Sequence, residues 1–310
     1  MKDEYSGRFN RLPDDFIKNR LEPPSGKADV VLDTDTYNEV DDQFALAYCM
    51  LAQEKMNVEA VYAAPFHNNR SKNAGDGMLK SYDEIFRVLE KLGVKNAVSV
   101  FKGSERFLSD ASKPAGSPVV DDLIERAMNR KDNPLYVLAM GAPTNISSAL
   151  LIEPGIREKI VVVWLGSQPL YWKQNREFNC RQDIVSSQVL YDSGVPFVDI
   201  PCKNTAEHLV TTVPELEKYL KGKSAIGDYL CEIVRSYGKD SPGWSKVIWD
   251  IAVPAYVINP EWVPAPLIRA PVLTGRLEYE MDDSRHYMRI AEHVFRDSVF
   301  GDLFDRLTAA

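Results

Sequence analysis

The chain has 310 residues, 45% of them hydrophobic, enough to bury a sizeable core as one large α/β domain or two smaller ones. Its 37 Lys and Arg against 45 Asp and Glu leave a net charge of −8, which gives no support for nucleic-acid binding, and no basic stripe carries interleaved aromatics. No apolar run is long enough to span a bilayer, and the N-terminus lacks a signal-peptide pattern. Cys49, Cys180, Cys202 and Cys231 are scattered without a CxxC pair, so free thiols in a cytoplasmic protein are expected.

Residues 1–27 mix charge, Pro and Gly and read as an irregular N-terminal arm with one short helix, ahead of a single domain over 28–310. From Ala28 onward, apolar runs alternate with helical patterns. Strands are predicted at 30–33, 58–64, 98–101, 135–140, 160–165 and 197–200; their Val/Ile-rich, unalternated character suits strands buried on both faces. Helices are predicted at 43–51, 73–92, 119–128, 145–151, 183–191 and, as one long stretch, 213–237. A further helical run begins at Trp249-Asp250, β-like segments follow at 268–281 and 286–290, and a helix over 297–307 closes the chain. This βαβα order predicts an open, mostly parallel, Rossmann-like sheet with helices on both faces and a small β addition near the C-terminus.

In such a sheet ligands bind beyond the carboxyl ends of the strands. The first strand ends in Asp33-Thr34-Asp35-Thr36-Tyr37-Asn38-Glu39-Val40-Asp41-Asp42, five carboxylates within ten positions. Close-packed anions persist only where a cation, a helix N-terminus or open water offsets their repulsion. Asp and Glu oxygens on a tight loop are hard ligands of the kind calcium or magnesium takes; the plainer alternative is a solvated loop whose Asp41 and Asp42 cap the next helix. Three more polar clusters fall at predicted strand ends: His67-Asn68-Asn69, Met140 to Asn145, and Glu177-Phe178-Asn179.

Taken together these elements resemble the inosine/uridine-preferring nucleoside hydrolase family, calcium-dependent enzymes that cleave the N-glycosidic bond of ribonucleosides. The resemblance rests on Asp33-Thr34-Asp35 with Asp41-Asp42, on Gly141-Ala142-Pro143-Thr144-Asn145 with Glu153-Pro154, on Glu177-Phe178-Asn179 with Asp183, and on Asp250-Ile251-Ala252-Val253. It implies calcium held by Asp35, Asp42, Asp250 and the main-chain carbonyl of Met140, with Asp35 as the base that takes a proton from water. It also implies that Asp41, Glu177, Asn179 and Asp250 hydrogen-bond the ribose hydroxyls, with Asn179 also counted among the catalytic groups and Asn68 as a further sugar contact. A nucleoside substrate and a homo-oligomer, dimer or tetramer, follow from the same resemblance.

The departures are specific. The loop from Thr36 to Val40 is longer than the family's compact form and brings in Glu39, which has no family role. An Asn usual before Glu-Phe-Asn is missing where Tyr171 stands, with Asn175 as a substitute. Trp249 precedes Asp250 where pyrimidine-capable members place a His, so it is either a stacking and catalytic group that favours purines or a packed aromatic at a helix start. Two rivals stand beside this assignment. Asp33-Thr34-Asp35-Thr36 also resembles the opening motif of haloacid-dehalogenase-like, magnesium-dependent phosphatases, with Asp33 as nucleophile. A catalytically weak ribose-binding or nucleoside-binding protein would keep the acidic cup without turnover.

Overall fold

The computed structural model describes residues 6–238 and 241–310, so residues 1–5 of the predicted arm lie outside the described residues. In chain order the first part runs α1 (Asp14–Arg20), β1 (Ala28–Thr34), α2 (Asp42–Leu51), β2 (Met56–Ala63), α3 (Ala74–Lys91), β3 (Ser99–Lys102) and α4 (Pro118–Met128). It continues through β4 (Leu135–Ala139), α5 (Thr144–Ile152), β5 (Ile160–Ser167), α6 (Phe178–Gln182), α7 (Ile184–Asp192) and β6 (Phe197–Pro201). The last third holds β7 (Val210–Thr211), α8 (Val213–Leu220), α9 (Ala225–Tyr237), β8 (Lys246–Val247), α10 (Ala252–Ile258) and β9 (Leu267–Arg269). It ends with β10 (Val272–Leu273), β11 (Tyr279–Glu280), β12 (Tyr287–Ile290) and α11 (Arg296–Ala309).

Eight strands form one sheet in the order β3-β2-β1-β4-β5-β6-β12-β9, with every pair parallel except the edge pair β12–β9. Side-chain alternation explains why the central strands are apolar throughout. Val30 and Leu32 enter one core, which also holds Phe44, Ile251 and Phe300; Val31 enters the other, with Val120, Ile146 and Trp164. Between β1 and β4 the strand order reverses, the place where a doubly wound sheet opens a crevice at its carboxyl edge. Backbone bonds run past the strand ends there: Met140 N donates to Asp33 O at 2.8 Å, and Ala64 N to Thr34 O at 2.9 Å.

The predicted helix over 213–237 is two helices. Gly222 adopts a left-handed φ of 72°, and Ser224 caps α9 by accepting from the Gly227 N–H. The β addition also divides: β12 and β9 extend the main sheet, while β10 and β11 pair as a separate small ladder. The N-terminal segment packs on this body. Ile17 and Leu21 are buried in the core, Arg289 Nε donates to Leu21 O at 2.6 Å, and Arg269 meets Asp14 at 2.8 Å. Among the described residues no helix is long and apolar enough to cross a membrane.

Candidate active site

The first strand delivers its acids into a turn at the switch point. Asn38 N donates to Asp35 O at 2.7 Å, folding the loop back so that Asp41 and Asp42 stand at the start of α2. Thr34 Oγ1 donates to Asp42 Oδ1 at 2.5 Å. From the far end of the chain, the turn before α10 brings in Asp250. Asp41, Asp42 and Asp250 each offer a carboxylate oxygen, and these oxygens lie within 4.8 Å of one another. Asp35 lies beside them, fully buried, with neither carboxylate oxygen receiving a donor.

Burial and mutual repulsion set the ionisation of this cluster. Burial, then the charges of Asp42 and Asp41, hold Asp35 well above the usual carboxylate range. Asp250 is raised by burial and then by the same two neighbours. Asp42 is pushed up to about 7 by burial and by Asp41, with the Thr34 hydroxyl opposing. Asp41 reaches only about 6, because the Lys246 ammonium counters its burial. Burial alone dominates at Glu177, also raised to about 7.

Above the acids a crevice of about 240 Å³ is lined by Asp41, Met140, Glu177, Asn179, Trp249 and Asp250 among others. Asn179 is locked: its Nδ2 donates to Met140 O at 3.0 Å and Leu165 O at 2.9 Å, leaving its buried Oδ1 without a donor. Glu177 caps α6 by accepting from Cys180 N at 2.9 Å. Trp249 is half-buried, and its backbone N–H donates to Asp41 Oδ2 at 3.2 Å. The unpartnered oxygens of Asp35, beside the carboxylates of Asp41, Asp42 and Asp250, are oxygen donors of the kind that fit a hard divalent cation.

Asn68 does not reach this crevice. Its Nδ2 donates to Asn38 Oδ1 at 2.6 Å and its Oδ1 accepts from Arg70 N, so it lines an adjoining cavity with Tyr37, Tyr237 and Trp244. Asn38, from the expanded loop, is the residue that borders both spaces. Asn175 is buried, its Nδ2 directed at Cys180 Sγ at 3.2 Å. Thr144, Asn145 and Asp183 are scaffolding. Asn145 donates to Asp33 Oδ1 at 2.9 Å and accepts from Ser104, while Asp183 accepts from Thr144, Leu108 N and Ser186 N.

Sequence reasoning missed Lys246. Its ammonium, nearly buried, lies 2.6 Å from Glu39 Oε2 and 3.7 Å from Asp41 Oδ2. Glu39, left without a role by its motif, is the partner of this cation. The available signal was indirect: crowded carboxylates call for an offsetting cation, but nothing local in Trp244-Ser245-Lys246 says where it docks.

A doubly wound sheet with a metal-competent acid cluster at its switch point belongs, on comparison with known proteins, to the hydrolases of N-glycosyl bonds. The chain is a member of the inosine-uridine preferring nucleoside hydrolase family, whose profile it matches over residues 30–298. It is 22% identical over 246 residues to the pyrimidine-specific ribonucleoside hydrolase RihA of Klebsiella pneumoniae, covering 71% of this chain and 77% of that one. In structure it is similar to the plant nucleoside hydrolase PpNRh1, with a TM-score of 0.73, 18% identity, and 93% and 100% of the two chains covered. It is similar also to the purine-preferring ribonucleoside hydrolase of Gardnerella vaginalis, with a TM-score of 0.70, 20% identity, and 91% and 98% covered. These likenesses show a shared fold. Family membership sets the phosphatase rival aside, and the nucleophile it needs, Asp33, is buried under the crevice on Asn145.

Proposed function

We propose that this chain cleaves ribonucleosides in a calcium-dependent reaction, favouring purines, with the crevice residues in defined roles. Asp35, Asp42, Asp250 and the Met140 carbonyl would hold the ion, which when bound supplies positive charge that orients the sugar hydroxyls and makes water easier to deprotonate. Asp35 accepts the proton of the attacking water. Burial and the neighbouring Asp42 and Asp41 favour the protonated form of its carboxyl, so it takes up that proton only once a bound cation has displaced its own. Asp41, Glu177 and Asp250 accept hydrogen bonds from ribose hydroxyls, and the free Oδ1 of Asn179 accepts another. Asn68 contacts the sugar only by way of Asn38, or after its bond to Asn38 breaks.

Breaking the glycosidic bond builds positive charge on the sugar ring, as in other glycoside cleavages. The surrounding carboxylates stabilise that charge more than the neutral ground state, which is what raises the rate. Trp249, on the crevice wall, offers a ring face for the departing base, and a purine overlaps it more fully than a pyrimidine.

One observation carries this assignment: both Asp35 oxygens are buried without a donor, among the charges of Asp42, Asp41 and Glu177. The test is release of free base from a nucleoside panel, with and without chelator. Base release that stops with chelator and returns with calcium is expected. Calorimetric binding of nucleoside with no base released over hours would leave the binding-protein alternative in its place. The family also leads us to propose a homodimer or tetramer, checked by sedimentation. The four cysteines are buried and unpaired, which supports a reducing, cytoplasmic setting.

A further inference from the structure

Residues 168–176, between β5 and α6, form no helix or strand, yet they lead directly into Glu177 and Asn179 of the crevice wall. The middle of the segment is not packed into the core. Tyr171 is 76% exposed, its hydroxyl accepting from Asn204 Nδ2 at 2.6 Å, and Trp172 is 38% exposed. Tyr171 therefore does not stand in for the missing Asn. Asn175 does not replace it on the wall either, since it is fully buried and does not line the crevice.

What Asn175 does is tie the segment to α6. Its Nδ2 is directed at Cys180 Sγ at 3.2 Å, and its Oδ1 accepts from Glu177 N at 3.4 Å. Glu177 Oε2 in turn accepts from Cys180 N at 2.9 Å, so Asn175, Glu177 and Cys180 close a buried ring of three bonds. The small β10–β11 hairpin holds this ring from outside. Asn175 N donates to Leu277 O at 2.6 Å, and Tyr279 OH to Gln168 O at 3.0 Å, which grips the segment at both ends. Leu277 has a left-handed φ of 60°, a conformation that a bulky buried residue adopts only where its surroundings impose it. Leu277 N donates to Thr274 O at 2.8 Å to close that turn, and Gln188 Nε2 of α7 anchors the hairpin at Leu273 O, 2.9 Å away.

An irregular segment keeps many conformations unless bonds fix it, and a hydrogen bond weakens steeply once its geometry is lost. The reach of the Glu177 carboxylate into the crevice thus depends on what holds its backbone. We propose that Asn175 is a positioning residue for Glu177, and that the β10–β11 hairpin, through Leu277 and Tyr279, fixes where that carboxylate meets the sugar; this rests on the assignment of Glu177 to ribose hydroxyls above.

The experiment is a double-mutant cycle on the full, calcium-loaded chain. Wild type, Asn175→Ala, Glu177→Ala and the double variant are each titrated with ribose by calorimetry and assayed for kcat/KM with inosine. Asn175→Ala should weaken ribose binding and lower kcat/KM by about fivefold to tenfold, the scale of one hydrogen bond to a charged group. In the Glu177→Ala background the same change should cost less than about twofold, because no carboxylate remains to be placed. A purely structural Asn175 would show its full loss in both backgrounds; that result, or no loss in either, overturns the inference. If Asn175→Ala does not fold, Tyr279→Phe, which removes a single oxygen, enters the cycle with an expected loss of about threefold. Ribose binding unchanged by it overturns the inference as well. Ribose binding unchanged in Glu177→Ala refutes the sugar role of Glu177 and this inference with it, whereas a loss there without one in Asn175→Ala refutes the positioning role alone. Absence of base release from the wild type refutes the hydrolase assignment, and the calorimetric cycle still decides this one.

Discussion

Replacing Asp42 with Asn should stabilise the metal-free protein at pH 8 while abolishing its response to calcium. Asp42 is buried beside Asp41, and its pKa is pushed up to about 7 from an ordinary 3.8. Below the ordinary value both folded and unfolded chains hold the proton. Between the two values the folded state keeps a proton that the unfolded chain has released, so stability falls as pH rises. Above about 7 the whole cost is present, with a ceiling of about 4 kcal/mol at 1.36 kcal/mol for each pH unit. Asp42 also raises Asp35 and Asp250. Once its charge is gone those groups ionise more readily and absorb part of the gain, so about 2 kcal/mol is the working expectation. An Asn side chain keeps an acceptor for Thr34 Oγ1 and carries no charge. Urea denaturation in chelator, at pH 5 and pH 8, measures the difference, which should be larger at pH 8. Adding calcium should then stabilise the wild type and leave the variant unmoved. A variant less stable than wild type at pH 8 in chelator, or a gain equal at both pH values, would refute the claim that a buried charge is what the metal-free site carries.

Asp35→Ala and Asp250→Ala should each remove calcium binding by calorimetry and lower kcat at least about a hundredfold; undiminished activity in both would sink the site. Trp249→Ala should cost inosine about threefold to tenfold more in kcat/KM than uridine, the scale of an aromatic contact. Equal losses would remove the stacking role. Lys246→Met leaves Asp41 and Glu39 without their cation, so chemical denaturation of the calcium-free protein should show a loss of about 3 kcal/mol at pH 8. Asp41, raised to about 6 even with Lys246 present, protonates by pH 5, so the loss should shrink there. A loss that does not change with pH would assign Lys246 to packing instead.

What was readable in the sequence was local. The apolar, β-branched runs around Val30, Val137 and Val162 marked strands buried on both faces; length alone does not separate them from buried helices such as 44–51, but their Val and Ile content does. The acids of the β1 loop were conspicuous because repulsion makes such crowding costly without a purpose. The features that escaped depend on distant partners. Lys246 meets Glu39 across 207 positions, a pairing no spacing rule anticipates. Asn68 stands back from the crevice because its side chain is bonded to Asn38, and Asn38 is the one that lines the crevice. The merged helix over 213–237 has a different cause. Leu216, Leu220, Ile226 and Leu230 all enter one core, so the apolar period runs on across the turn, and Gly222 with the capping Ser224 marks the break.

The same charges account for stability and for function in opposite ways. Asp33, Asp35, Asp42, Glu177 and Asp250 are all raised by burial, while Lys246 is the nearby cation that lowers Asp41 and Asp250. One ammonium cannot offset so many anions, so near neutral pH the metal-free cluster retains protons. The proposed proton acceptance by Asp35 and stabilisation of a cationic sugar would both require those protons to leave. A bound divalent cation reconciles the two demands, since it replaces the protons as the source of positive charge. Calcium affinity should therefore rise steeply through pH 6 to 7 with release of protons, because the competing protons on Asp41 and Asp42 are lost at about 6 and about 7. Titrations in two buffers of different ionisation enthalpy count those protons. Affinity that stays flat across this range would mean that the acids are already ionised without the metal, and that something other than protons keeps them together.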